Sequence, residues 1–182
     1  MPGARFKSRY SRMSKANSNS SQMFDDSESS PTLRVRAQAD QLYRAASECV
    51  RQRERYAHLV ASSAADSELE STLRLASLCD ELLDQAVQAY EDAVGKDGGA
   101  KSESWWHPAN SLWLASREYA RRHREVDESS RKLGAHSASK LTELALQYDL
   151  EASALLALDH ALASYRKCCP EAEHNKKRAQ AS

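Results

Sequence analysis

Glycine and proline are scarce in this chain of 182 residues, at five and four. With so few breakers, and with abundant Ala, Leu, Glu and Arg, helix is favoured over sheet. Long apolar runs are missing as well. No stretch approaches the ~18 consecutive apolar residues that a membrane-spanning helix needs. Neither charge dominates, since Lys+Arg and Asp+Glu both total 26. No global field therefore draws the chain to nucleic acid or anionic lipid. The four cysteines, Cys49, Cys79, Cys168 and Cys169, have neither CxxC spacing nor the density of a disulfide framework. That argues against a stapled scaffold and against a zinc site. An apolar secretory signal is lacking at the N-terminus.

What is present begins with a polar leader. Residues 1–30 hold nine serines and almost no aliphatic side chain. Such a segment buries too little apolar surface to offset its ordering entropy, so a disordered arm is expected. Its first half carries Arg5, Lys7, Arg9, Arg12 and Lys15 with no acid. The chain reads as cytoplasmic; the alternative is an organellar protein with residues 1–30 as transit peptide.

From Pro31 the apolar spacing becomes helical. Val35, Ala39, Leu42, Ala46, Cys49, Arg53, Tyr56 and Val60 follow one another by alternating steps of four and three. Leu69, Leu73, Ala76, Asp80, Leu83, Val87, Tyr90 and Val94 form a second such series. A third runs Leu112, Ser116, Tyr119, His123, Val126, Ser130, Leu133, and a fourth Leu141, Leu144, Tyr148, Glu151, Leu155, Leu158, Leu162, Tyr165. These steps put each series on one helical face, the seam of a bundle. Leu59, Leu75, Leu78, Leu82, Leu146 and Leu156 lie beside the seams and are expected to widen the buried stripe.

The punctuation fits four helices. Asp66 or Ser67 can cap the second, with Glu70 completing a capping box, and Gly95 and Gly98-Gly99 can end it. Pro108 marks the start of the third and Gly134 its close; Ser137 or Ser139 opens the fourth, and Pro170 stops it. The fold expected is all-α, an antiparallel four-helix bundle of two helical hairpins, first choice up-down-up-down. In domain terms, residues 1–30 are the arm and 31–169 the bundle, with helices at about 32–61, 67–94, 109–133 and 138–168; residues 170–182 form a basic tail. A faint repeat relates Leu42-Tyr-x-Ala-x-x-Glu48-x-x-Arg51 to Leu112-Trp-x-Ala-x-x-Glu118-x-x-Arg121 at an offset of 70. Duplication of a hairpin is one explanation, and shared heptad composition is the other.

Four titratable residues fall on seam positions: Arg53, Asp80, His123 and Glu151. A charge in a core is costly unless paired, so Arg53–Asp80 and His123–Glu151 are the natural partners. They read as a structural polar layer, or else as a site in which Asp80, His123 and Glu151 bind a metal. A di-iron centre wants Glu-x-x-His on core helices, whereas the one such run, Glu171 to His174, lies past Pro170. Histidine phosphotransfer bundles carry a His-x-x-Lys-Gly run that Arg124 to Glu128 does not match. No Gly-x-Ser-x-Gly elbow occurs, and no cofactor is expected.

Trp105, Trp106 and Trp113 concentrate all three tryptophans in nine residues. They read as a plug at the bundle end or as an interface patch, since tryptophan is enriched at hot spots. Arg51 to Arg55 and Arg117 to Arg124 are interleaved with acids, the pattern of a solvated face. The functional expectation is a non-enzymatic bundle acting through protein–protein contact, with a protein partner or as a homodimer, and with no membrane segment. The alternative is a small-ligand or metal-binding bundle, enzymatic in one version, built on the polar core. A third reading is an accessory protein touching nucleic acid through its basic tails, Arg5 to Lys15 and Lys176-Lys177-Arg178.

Overall fold

The computed structural model describes residues 30–97, 101–132 and 138–170. The expected N-terminal arm up to residue 29, Gly98-Gly99, Gly134 and the tail from residue 171 lie outside the described residues. The described residues form four helices: α1 (Pro31–Ala61), α2 (Asp66–Asp97), α3 (Trp106–Arg131) and α4 (Ala138–Cys168). Most packing is within the pairs α1–α2 and α3–α4, with thinner contact of α1 with α4 and of α2 with α3, and some across the diagonal from α1 to α3. Tyr43 of α1 packs at a tilt against Tyr165 near the end of α4, and Tyr90 near the end of α2 meets Trp113 near the start of α3. Neighbouring helices are therefore antiparallel, in up-down-up-down order. Among the described residues, no helix is long and apolar enough to cross a membrane.

The helix ends depart from the expected punctuation in ways that local chemistry explains. Pro31 sits in the first turn of α1, where its missing N–H is not needed. α1 closes through the Ser62 N–H, and Ser63 takes a left-handed φ of 55° to start the turn. α2 opens on the Ala65 carbonyl, which accepts from the N–H groups of Glu68 and Leu69. Ser67 and Glu70 thus lie inside the helix and do not form the expected capping box. Gly95 does not end α2 either, because the helix runs on to Asp97. α3 begins three residues before the expected start, at Trp106, with Pro108 tolerated in the unbonded first turn.

The seams supply the core. Val35, Ala39, Leu42, Ala46 and Cys49 are fully buried, together with Leu83, Leu112, Ser116, Leu158 and Tyr165. This core is not centred along the bundle. Nothing described in α1 is buried beyond Gln52, nothing in α2 before Thr72, nothing in α3 beyond Val126, and nothing in α4 before Ala154. Seam residues at this end stay open: Val60 is 52% exposed, Leu141 49% and Tyr148 50%, and Leu73, just inside the limit on α2, is 43% exposed. The leucines expected to widen the stripe are a second correction. Leu75, Leu78, Leu82, Leu146 and Leu156 are exposed, and only Leu59 is half-buried. A helix with two neighbours buries one broad stripe, and these side chains point outside it.

Candidate functional site

The structure brings the four charged seam residues into one cluster, one from each helix, at the inner edge of the open end. Arg53 of α1 pairs with Asp80 of α2. His123 of α3 places Nε2 3.2 Å from Asp80 Oδ2 and Nδ1 2.7 Å from Glu151 Oε1 on α4. The expected pairings are both present, and the Asp80–His123 contact joins them across the hairpins.

Two further side chains complete the cluster. Cys49 Sγ donates to Asp80 Oδ1 at 3.2 Å, and the Tyr119 hydroxyl donates to the same oxygen at 3.3 Å. Asp80 thus accepts from Cys49 and Tyr119 on one oxygen and from Arg53 and His123 on the other. Tyr119 also lies parallel to the His123 ring, with centroids 6.1 Å apart. By sequence Cys49 and Tyr119 are seam positions like their apolar neighbours. A usable signal was their spacing: each precedes its charged neighbour, Arg53 or His123, by four residues on the same face.

The electrostatics follow from this wiring. Burial opposes charge on His123, but its hydrogen bonds to Asp80 and Glu151 outweigh burial and push its pKa up to about 9. Burial likewise opposes the Asp80 carboxylate, yet His123 and the Arg53 guanidinium hold its pKa below the ordinary aspartate value. At neutral pH His123 is therefore an imidazolium, set between Asp80 and Glu151 and beside the Arg53 guanidinium. Arg53 Nη2 also comes within 2.9 Å of His123 Nε2, and both nitrogens reach the same Asp80 oxygen. Burial, then the nearby Asp80, raises the Cys49 thiol far above its usual pKa. Burial, then Cys49, does the same to the Tyr119 hydroxyl.

This wiring leaves little for a metal. Asp80 and Glu151 sit on opposite edges of the imidazole, and Arg53 fills the cationic position beside Asp80. Among the described residues no group of three or more His, Cys, Asp or Glu is arranged to hold an ion. A groove of about 370 Å³ between α2 and α3 reaches the layer, lined by Leu73, Asp84, Arg124 and Asp127 among others. Its walls carry both signs of charge and select neither anions nor cations.

The chain matches no family model, no curated protein and no solved structure. Its own surfaces are then the guide to function, and here the tryptophans give way. Trp105 and Trp106 are 5% and 7% exposed and pack edge to face within the core, with the Arg36 guanidinium over Trp105. Trp113 is half-buried beneath Arg117 and against Tyr90. Residues so enclosed offer a partner little surface and pack as a plug within the bundle does. The exposed apolar side chains lie elsewhere, above all on α2 and α4. Leu75, Leu78 and Leu82 follow one another by three and four along the outside of α2, at 44%, 54% and 55% exposure.

Proposed function

We propose that this protein is a non-enzymatic helical bundle that works by binding another protein surface, with the outer face of α2 as its principal contact. The observation that carries the reading is the Leu75–Leu78–Leu82 stripe. Isolated exposed leucines are ordinary, but a row of three in helical register is the anchor pattern of helix-to-helix docking. The polar layer serves the fold in this reading: it joins all four helices at one level and fixes the register of one hairpin against the other.

Several observations support the absence of catalysis. Asp80 spends both oxygens on four donors, and His123 spends both nitrogens on carboxylates. Neither has a free lone pair or proton for a substrate. The Cys49 thiol is held protonated, which removes it as a nucleophile. Cys49, Cys79, Cys168 and Cys169 are all free thiols, in keeping with a reducing compartment such as the cytoplasm. The nucleic-acid reading rests on basic tails outside the described residues, and no feature of the bundle favours it.

The test is the size of the protein in native extract, with and without Leu78→Glu. A complex larger than the monomer that collapses in the variant, with helicity retained, supports the reading. A monomer in both cases ends it.

A further inference from the structure

We infer that the partner seated on this stripe is a second copy of the same chain, with the two α2 helices packed antiparallel about a twofold axis. The inference rests on the interaction reading above and specifies its partner.

Along the outer face of α2, Glu68, Ser71, Leu75, Leu78, Leu82, Gln85 and Ala89 alternate by three and four. This second seam is distinct from the core series through Leu73, Ala76, Asp80 and Leu83. The rows flanking it are unlike each other. On one side stand Thr72, Cys79 and Ala86, of which Thr72 and Cys79 are buried and Ala86 is half-buried. On the other stand Arg74, Glu81 and Gln88, all exposed. One flank is therefore already covered by the bundle, and the open flank carries one cation and one anion a heptad apart.

Antiparallel packing brings like flanks together, so the open row of one copy faces the open row of the other. An axis between Ala76 and Ser77 puts Leu75 against the partner's Leu78, and Leu78 against the partner's Leu75. The same axis brings Arg74 to the partner's Glu81 and Glu81 to the partner's Arg74. Both ion pairs arise from one operation, which is the self-complementarity a twofold interface requires. The neighbouring register, with Leu78 against the partner's Leu82, would set Glu81 against its own symmetry mate and is disfavoured by like charge. Parallel packing would face the charged row against the covered one. In the monomer Arg74 pairs with Glu70 at 2.5 Å, with side chains 76% and 65% exposed. So exposed a pair exchanges partners at little cost.

The experiment is sedimentation equilibrium of the purified full chain over a wide concentration range, with circular dichroism to verify folding. The parent should show a monomer–dimer equilibrium. Leu78→Glu, which places a charge at the centre of both helices, should raise the dissociation constant about 100-fold. Arg74→Glu and Glu81→Arg should each weaken the dimer about tenfold, and the two together should restore it to within about threefold of the parent. Restoration by the charge exchange is what mere removal of apolar surface cannot produce. A parent that stays monomeric at every concentration overturns the inference, as does a double exchange no tighter than its single variants. If that monomer is nevertheless part of a Leu78-dependent complex in extract, the interaction reading survives and only the identity of its partner is lost. If it is monomeric in extract too, both fail.

Discussion

Glu151 Oε1 lies 2.7 Å from His123 Nδ1, and this bond ties α4 to the charged layer. Glu151 is the counter-charge that lets His123 keep its second proton beside Arg53. Glu151→Gln should leave the hydrogen bond geometrically possible but remove the charge. The expected result is a loss of about 2–3 kcal/mol in urea unfolding, as for a buried pair robbed of one partner. A loss below about 0.5 kcal/mol would mean the pair is effectively solvated.

Asp80 should be the most sensitive position of the cluster, because its removal leaves Arg53, His123, Cys49 and Tyr119 without their shared acceptor. Asp80→Ala should cost about 3–5 kcal/mol. Replacing Arg53, Asp80, His123 and Glu151 together by Leu should cost far less, since no buried charge is then left unpaired. Thermal unfolding followed by circular dichroism compares the two. If the quadruple variant is the less stable one, the layer contributes net attraction and is more than a specifier of register.

Stability should also depend on pH in both directions. The folded-state pKa of His123 is raised to about 9 from an ordinary 6.5. Its contribution is therefore fully present below about pH 6.5 and is lost as pH rises through about 9. Asp80 has the opposite sign: its pKa is lowered from 3.8, so its contribution holds above that value and fades as the solution is acidified past it. Urea midpoints at pH 6, 7.5 and 9 should decline in that order, and His123→Gln should flatten the decline. A midpoint that rises toward pH 9 would falsify the assignment of an imidazolium.

Two backbone positions offer gains. Ser63 adopts a φ of 55° without being glycine, and Ser63→Gly should stabilise by up to about 1 kcal/mol by relieving the left-handed conformation. Gly95 lies within α2, and a Cβ built there meets nothing within 4 Å. Gly95→Ala should add about 0.5–1 kcal/mol. Calorimetric melting temperatures would register both, and a drop in either variant would mean the local geometry differs from that described.

Much of this architecture was legible because seam periodicity is a physical requirement. Arg53, Asp80, His123 and Glu151 stood out as charges at core positions, and a core charge needs a partner that only the facing helices can supply. The places where reading failed share a cause. Ser67 and Glu70 resemble a capping box, yet nothing in their composition says that the chain turns two residues earlier, at Ala65. Leu75, Leu78 and Leu82 looked like extra core because hydrophobicity marks a face without saying what covers it. The exposure of Val60, Leu73, Leu141 and Tyr148 was equally hidden, since how far two hairpins stay in contact is set by their relative placement. Heptads within each helix do not encode that placement.

The wiring of the polar layer has a kinetic consequence. Arg53 and Asp80 belong to the first hairpin, and His123 and Glu151 to the second, so each hairpin holds an ion pair of its own. Docking of the hairpins then brings together two ion pairs, each balanced in charge, and adds the bonds of Asp80 to His123 and Tyr119. A step of that kind involves no long-range steering, and its rate should be nearly indifferent to ionic strength.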